Sequence, residues 1–359
     1  MSGNVSHAGG GAFTTTRYRV TPRACRRASP VVVAKSVRVC STPQGPRCRS
    51  SRSLALSWIG RILLVLLALC ALVLFVLYRI QRRLYYSPKA PRRGPTPANV
   101  GLRHWNVRID DRIDAWWVPA APGHATALIC HGNAGNMSHR LPLLATIRKT
   151  GMGALIFDYS GYGNTPGKPS EAALRTDALA VWKWLKKRVG ARNVVFIGRS
   201  LGGGVACDLA HQCLLRVSGL GAHKDARQNG SPPTVTFSRG SHAVCELPRA
   251  LILDSTFTSM PDACVDNLPR AMRPAGPLFR CLVQDKYSTV AKLEQVAAAV
   301  PTVILHTVKD RVVPFAHAAR NAEVAGCPLV VLPRGGHNDG YMRSSGTYQS
   351  VLTAMSAVE

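Results

Sequence analysis

The sequence predicts an α/β fold: a mostly parallel central sheet with helices on both faces, preceded by one transmembrane helix. Three observations predict it. From residue 100 onward, short and wholly apolar runs rich in Val, Ile and Leu alternate with longer helical stretches, which implies parallel strands buried on both sides. Ahead of them, "ILLVLLALCALVLFVLY", from Ile62 to Tyr78, runs without a polar residue. The charge is also uneven: the formal net charge is +28 over 359 residues, yet no Asp or Glu occurs before Asp110.

Residues 1–53 are rich in Ser, Thr, Gly and Arg, as in "RYRVTPRACRRASP", and hold too little apolar surface for a core. They are read as a basic disordered tail; a mitochondrial transit peptide has the same composition. Residues 54–79 are read as the membrane helix, with Arg61 reaching for a headgroup. About 20 helical residues rise roughly 30 Å, the thickness of a hydrocarbon core. The run begins too deep in the chain and is too long for a cleaved signal, so the helix is expected to remain as an anchor. Residues 80–99 are read as a juxtamembrane linker and 100–359 as the folded domain. For orientation, the whole tail is the more basic side, whereas next to the helix Arg79, Arg82, Arg83, Lys89, Arg92 and Arg93 outnumber Arg47, Arg49 and Arg52. Only the near-flank count follows the usual rule, which favours a cytoplasmic domain. A single-pass protein of an endomembrane such as the endoplasmic reticulum is expected, with the mitochondrion as the alternative.

Within the domain, "NVRIDDRIDAWWVP" reads as a hairpin. "ATALICHGNAG" is a strand ending in a Gly-bearing loop, and "LPLLATIRKTG" is a helix closed by Gly151. "ALIFDYSGYG" is a strand and turn; "SEAALRTDALAVWKWLKKRVG" is an amphipathic helix capped by Ser170 and ended by Gly190. "VVFIG" leads into the small-residue helix "LGGGVACDLAHQCLL". The strands "ALILDST", "PTVILHTV" and "CPLVVLP" follow, and a last helix lies near "YQSVLTAMSAV". Residues 217–247, rich in Gly, Ser, Pro, Arg and His, show neither periodicity and are read as a flexible insertion. Their basic residues have no interleaved aromatics, so no nucleic-acid partner is expected. Seven of the eleven cysteines lie beyond the anchor with no C-x-x-C or Cys/His spacing, which leaves free thiols and no metal site. Asn229-Gly230-Ser231 is a sequon that matters only for a lumenal domain.

Gly198, Ser200 and Gly202 form a G-x-S-x-G pattern, weak evidence by itself. Its context strengthens it. A strand runs directly into Ser200 and a helix leaves it, the setting that presents a hydroxyl at the carboxyl edge of a sheet. A serine hydroxyl needs a base, and the base needs a carboxylate to orient it. Asp310, in "VILHTVKDRVVP", lies just past one apolar strand, and His337, in "LVVLPRGGHNDGY", just past the next. Both loops belong on the edge that carries Ser200, giving the chain order Ser, Asp, His. Asp254, after "ALIL", is the alternative acid. Asp158 is read as bracing the "DYSGYG" turn, His306 as a packed core residue, and His131 as shaping the "HGNAG" loop. That loop is also placed to supply a backbone N–H for an oxyanion, from Asn133 or next to it Ala134, opposite the N–H of Leu201. No cofactor fingerprint is present, and this chemistry needs none.

The stretches "HGNAGN", "DYSGYGNTPGKPSE", "GRSLGGGVA", "LILDSTFTS", "KDRVVP" and "GGHND", in that order from residue 131 to 339, together resemble the α/β-hydrolase superfamily. The resemblance is narrower to its small membrane-associated α/β-hydrolase-domain branch, which includes protein depalmitoylases and lysophospholipid lipases and is related to prolyl-oligopeptidase-type serine peptidases. "QRRLYYSP" after the anchor is similar to the lead-in of that branch. The resemblance implies the α/β-hydrolase fold, and Ser200, Asp310 and His337 match its nucleophile, acid and base. It implies a serine hydrolase of acyl esters or thioesters, acting on membrane lipid or acylated protein. The alternatives are a peptidase of the same fold or an inactive membrane-tethered scaffold. The family's turn usually reads "DYRGYG"; Ser160 stands here instead, so an arginine contact is expected to be missing, and the 217–247 insertion is foreign to the pattern. Met272, Leu278 and Phe279 of "MRPAGPLF" either line the path of an acyl chain or pack a short cap.

Overall fold

The computed structural model describes residues 51–218 and 246–356. The expected tail, apart from residues 51–53, and the expected insertion, apart from residues 217–218 and 246–247, lie outside the described residues. The chain divides into two compact units, residues 1–63 and 64–359. Helix α1, Ser51–Tyr85, contains a span from Trp58 to Arg83 whose most apolar 18-residue stretch has a mean hydropathy of 2.9 and is not buried in the protein. It is long and apolar enough to cross a membrane. The helix continues six residues past the boundary read from hydropathy because "IQRRLY" consists largely of ordinary helix formers, and Arg82 and Arg83 suit its negative C-terminal end.

The segment that follows is not a free linker. Pro88 bridges Gly135 in parallel, Gly135 N donates to Ser87 O at 3.0 Å, and Lys89 N donates to Gly135 O at 3.0 Å. Residues read as a spacer are thus stitched to the loop after an inner strand. Arg82 pairs through two nitrogens with Asp285 at 2.9 and 2.8 Å, and Tyr85 and Tyr86 hydroxyls donate to the same carboxylate. Burial would raise the Asp285 carboxyl, but these donors and the Glu171 peptide outweigh it and hold it below its ordinary value.

The domain is built on one eight-stranded sheet in the order β1-β2-β4-β3-β5-β6-β7-β8. Strands β1 (Trp105–Ile109) and β2 (Ile113–Val118) form the expected hairpin, and β2 runs antiparallel to β4 (Gly153–Phe157). From β4 through β3 (Thr126–Cys130), β5 (Val194–Arg199), β6 (Ala250–Asp254), β7 (Thr302–Thr307) and β8 (Leu329–Leu332) all pairings are parallel. Every residue of β3 to β7 is buried, which is why their sequences carry no polar alternation. Alternate side chains serve two cores. Leu128, Cys130, Leu155 and Phe157 pack on one face, Ala127, Ile129, Ala154 and Ile156 on the other.

Helices cover both faces. On the first lie α3 (Glu171–Val189) and α4 (Leu201–Val217), with Leu174, Ala178, Val181, Trp182 and Leu185 of α3 turned inward at helical spacing. The Ser170 hydroxyl caps α3 by accepting from Ala173 N at 3.1 Å, and Gly190 at φ 80° ends it. On the second face lies α2 (Leu141–Arg148), whose Leu143, Leu144 and Ile147 are buried. Each such side chain removed from water contributes about 1.5–3 kcal/mol. The remaining α-helices among the described residues are α5 (Met260–Asp266), α6 (Gly276–Leu282), α7 (Val290–Ala299), α8 (Phe315–Ala325), α9 (Gly340–Arg343) and α10 (Ser345–Ser356). Because β3 and β5 to β8 point the same way, the loops carrying Asn133, Ser200, Asp310 and His337 all emerge at one edge of the sheet.

The tightest backbone approach in this frame is that of α4 to β3. A Cβ on Gly202 would lie 1.9 Å from the carbonyl oxygen of Cys130 and 2.6 Å from that of His131, both backbone atoms. Gly346 in α10 has open space around it. Gly202→Ala is therefore expected to cost at least about 2 kcal/mol, whereas Gly346→Ala should stay near wild type. Thermal unfolding of the full chain in detergent measures both.

Candidate active site

Ser200 sits between β5 and α4 with φ 54° and ψ −118°, a conformation that non-glycine residues rarely adopt. Local bonds hold it there. Its N–H donates to Asp254 O at 2.9 Å, and its carbonyl accepts from Gly203 N at 2.9 Å and from the Thr256 hydroxyl at 2.7 Å. The turn aims the side chain at the loop after β8, where His337 Nε2 lies 3.0 Å from Ser200 Oγ. The other ring nitrogen, Nδ1, is 2.7 Å from Asp310 Oδ2. With the proton on Nδ1 donated to Asp310, Nε2 is left as an acceptor facing the serine hydroxyl.

Asp310 is buried, and its second oxygen accepts from the Val312 and Val313 peptides, each at 2.8 Å. Burial would raise this carboxyl, yet the His337 hydrogen bond and the two peptides prevail and hold it below the ordinary carboxylate value. His306, in the core of β7, lies 3.4 Å from Asp310 Oδ2, the oxygen that faces His337, and donates through Nε2 to Val313 O at 2.9 Å. Burial depresses its basicity, so it stands neutral beneath the acid. That matches its reading as a core residue.

Asp254, weighed as the alternative acid, has other partners. Its carboxylate accepts from Arg199 Nε at 3.2 Å and from the Ser255 hydroxyl at 2.9 Å. Arg199 also donates to the backbone carbonyl of His337, so the pair ties the His337 loop to the strands under Ser200. Sequence reasoning missed Arg199. The signal for it was an Arg and an Asp each closing an apolar strand, and these two strands pair with Arg199 opposite Asp254.

The "HGNAG" loop faces Ser200 across a cleft of about 350 Å3 whose lining includes Asn133, Ala134, Leu201 and His337. The Asn133 side chain is held by neighbouring segments: its amide donates to Tyr85 O, and its oxygen accepts from Ser87 N at 3.2 Å and the Tyr162 hydroxyl at 2.8 Å. Among the described residues, neither the Asn133 nor the Leu201 peptide N–H has a protein acceptor. His131 is buried beneath the loop, donating from Nδ1 to Gly132 O at 2.7 Å. Asp158 accepts from Met137 N at 2.7 Å, and its carbonyl accepts from the Thr165 hydroxyl at 2.8 Å, closing the "DYSGYG" turn. Ser160 itself is met by an arginine from another strand connection. Arg112, between β1 and β2, donates to Ser160 Oγ at 3.0 Å and pairs with Asp177.

The outer wall of the cleft is apolar and comes from Phe257, Met260, Ala263, Val312 and Val313. Met272 and Leu278 are not part of it; they are exposed to solvent, and Phe279 does not line the cleft either. The first turn of α5, not the "MRPAGPLF" segment, borders the site. Among the described residues no group of three or more His, Cys, Asp or Glu side chains is arranged to hold a metal ion.

Comparison with known proteins is consistent across sequence and fold. A family model described as alpha/beta hydrolase family matches residues 127–346, more than half of the chain. An uncharacterised protein of Mycobacterium tuberculosis is 31% identical over 279 residues, covering 74% of this chain and 84% of that protein. The lysophosphatidylserine lipase ABHD12 of Danio rerio is 31% identical over 232 residues, covering 60% of this chain and 53% of the lipase, about half its length. Among solved structures, an alpha-beta hydrolase from Vibrio vulnificus superposes with a TM-score of 0.52 at 18% identity, covering 72% of this chain and 83% of that one. With its family model matched across the parallel sheet and the loops at its carboxyl edge, the chain belongs to the α/β-hydrolase family.

Proposed function

We propose that the protein is a membrane-anchored serine hydrolase that cleaves acyl esters or thioesters of lipids or acylated proteins. Ser200 is the nucleophile, His337 the general base and Asp310 its orienting acid; the Leu201 and Asn133 peptides form the oxyanion hole. The reading rests on the continuous line from Ser200 Oγ through His337 to Asp310, with spacings of 3.0 and 2.7 Å. As Oγ attacks the acyl carbonyl, its proton passes to His337 Nε2, and the ionised Asp310 stabilises the imidazolium. The carbonyl oxygen becomes an anion between two open N–H groups. His337 then protonates the departing alkoxide or thiolate, leaving an acyl-serine, and a water activated by the same imidazole releases the acid.

Substrate class follows from the cleft and from α1. The apolar wall of Phe257, Met260 and Val313 suits an acyl chain. The unburied apolar helix suits a bilayer that presents such chains. The similarity to a lysophosphatidylserine lipase agrees with a lipid ester, although the chain spans only about half of that relative.

Ser200→Ala should abolish labelling by a fluorophosphonate probe and lower kcat by on the order of 10^4 or more. Asp310→Asn should lower kcat by about 10^4 while the fold persists, because the amide no longer fixes the tautomer that leaves Nε2 free. Labelling that survives in Ser200→Ala would refute the assignment of the nucleophile.

Amide cleavage demands protonation of a poorer leaving group than an alkoxide or thiolate. Steady-state assays of the purified chain should therefore give a higher kcat/KM for a long-chain acyl thioester or lysophospholipid than for any short peptide amide. Efficient endopeptidase activity that disappears in Ser200→Ala would reverse this ordering in favour of a peptidase.

A further inference from the structure

We propose that the C-terminal end of α1 and the loop before α3 form a binding site for the phosphate-bearing headgroup of an anionic membrane lipid, separate from the catalytic cleft. The site is a concavity of about 510 Å3 lined by Arg79, Arg82, Arg83, Tyr86, Lys168 and Ser170, among others. Its cations come from two chain segments 85 or more residues apart, so the fold and not a local run of sequence brings them together.

Among the described residues this charge is only partly neutralised. Arg82 is held by Asp285, which fixes its guanidinium at the wall. Arg79, Arg83 and Lys168 have no carboxylate partner among the described residues. Glu171, the nearest acid in sequence to Lys168, is engaged elsewhere, accepting from Lys286 N at 2.7 Å and facing Arg175. Ser170 caps the 19-residue helix α3, whose N-terminal end adds positive potential to the same hollow. The Ala172 peptide N–H in that first turn has no acceptor among the described residues.

The position selects a lipid over a soluble anion. With α1 spanning a bilayer, as the functional reading above holds, Leu72, Val73, Phe75 and Val76 lie on the apolar stretch immediately before the arginines and are exposed. Acyl chains alongside them would place a phosphate level with Arg79, Arg83 and Lys168. Basic residues at this depth attract anionic headgroups, each worth about a fivefold gain in affinity.

The test uses the purified full chain in a neutral maltoside detergent and an ether-linked dioctyl phosphatidate, which has no ester to hydrolyse. Isothermal titration should show binding of this lipid and none of its phosphatidylcholine counterpart. Arg83→Ala with Lys168→Ala should weaken it roughly thirtyfold, and Lys168→Ala alone about fivefold. Lys183→Ala with Lys187→Ala removes the same charge further along α3 and should leave the affinity unchanged. Unaltered affinity in the Arg83/Lys168 pair, or an equal loss in the Lys183/Lys187 pair, would overturn the site. Glycerol 3-phosphate binding as tightly as the ether lipid would overturn the lipid assignment. None of these titrations depends on hydrolysis, so failure of the catalytic reading leaves them interpretable.

Discussion

The candidate site depends on one strained residue. Ser200 at φ 54° costs on the order of 1–3 kcal/mol, a strain that persists only if its surroundings permit no other path for the chain. They do so by removing side chains and adding bonds. Glycine at 202 lets α4 begin against the Cys130 carbonyl, and the Asp254 carbonyl and Thr256 hydroxyl grip the Ser200 backbone on either side. Relaxing the turn would swing Oγ away from His337, so the stability of the buried sheet and the placing of the hydroxyl are one problem.

Around that turn the structure keeps buried charge in compensated groups. Asp310 retains its charge in a buried site because a histidine and two peptides donate to it, while His306 below it is held neutral by the same burial. Arg199 and Asp254 are both buried, and each alone would be costly. Together they link the end of β5 to the loop carrying His337. Asn133 does the equivalent on the other side, joining its loop to the chain leaving α1. The stretch from Arg79 to Lys89 therefore joins the end of the apolar helix, the basic hollow beside it and the loop facing Ser200.

Much of this was legible in the sequence because parallel strands leave a strong trace. Buried on both faces, they read as apolar runs, and the loops after them must share an edge, which brings together residues as distant as Ser200 and His337. What escaped depended on partners far apart in sequence. The helix past residue 79 was cut short because hydropathy falls at Arg79, although nothing there breaks a helix. The contact of Arg112 with Ser160 leaves no trace in the sequence, since the β1–β2 connection meets the "DYSGYG" turn only in the folded sheet. For Met272, Leu278 and Phe279, hydrophobicity alone leaves lining the cleft and packing a short cap equally open, because it says nothing about which side of the cap faces the site.

The central claim, that Ser200 carries the acyl group through turnover, is tested most directly by trapping it. Full-length protein turning over a long-chain acyl p-nitrophenyl ester is quenched in acid within milliseconds, digested and mapped by mass. The account predicts the acyl mass on the peptide containing Ser200, rising in the first turnover and decaying as substrate is exhausted. Turnover with the acyl group on a different residue, or with no covalent adduct at any time, would contradict it.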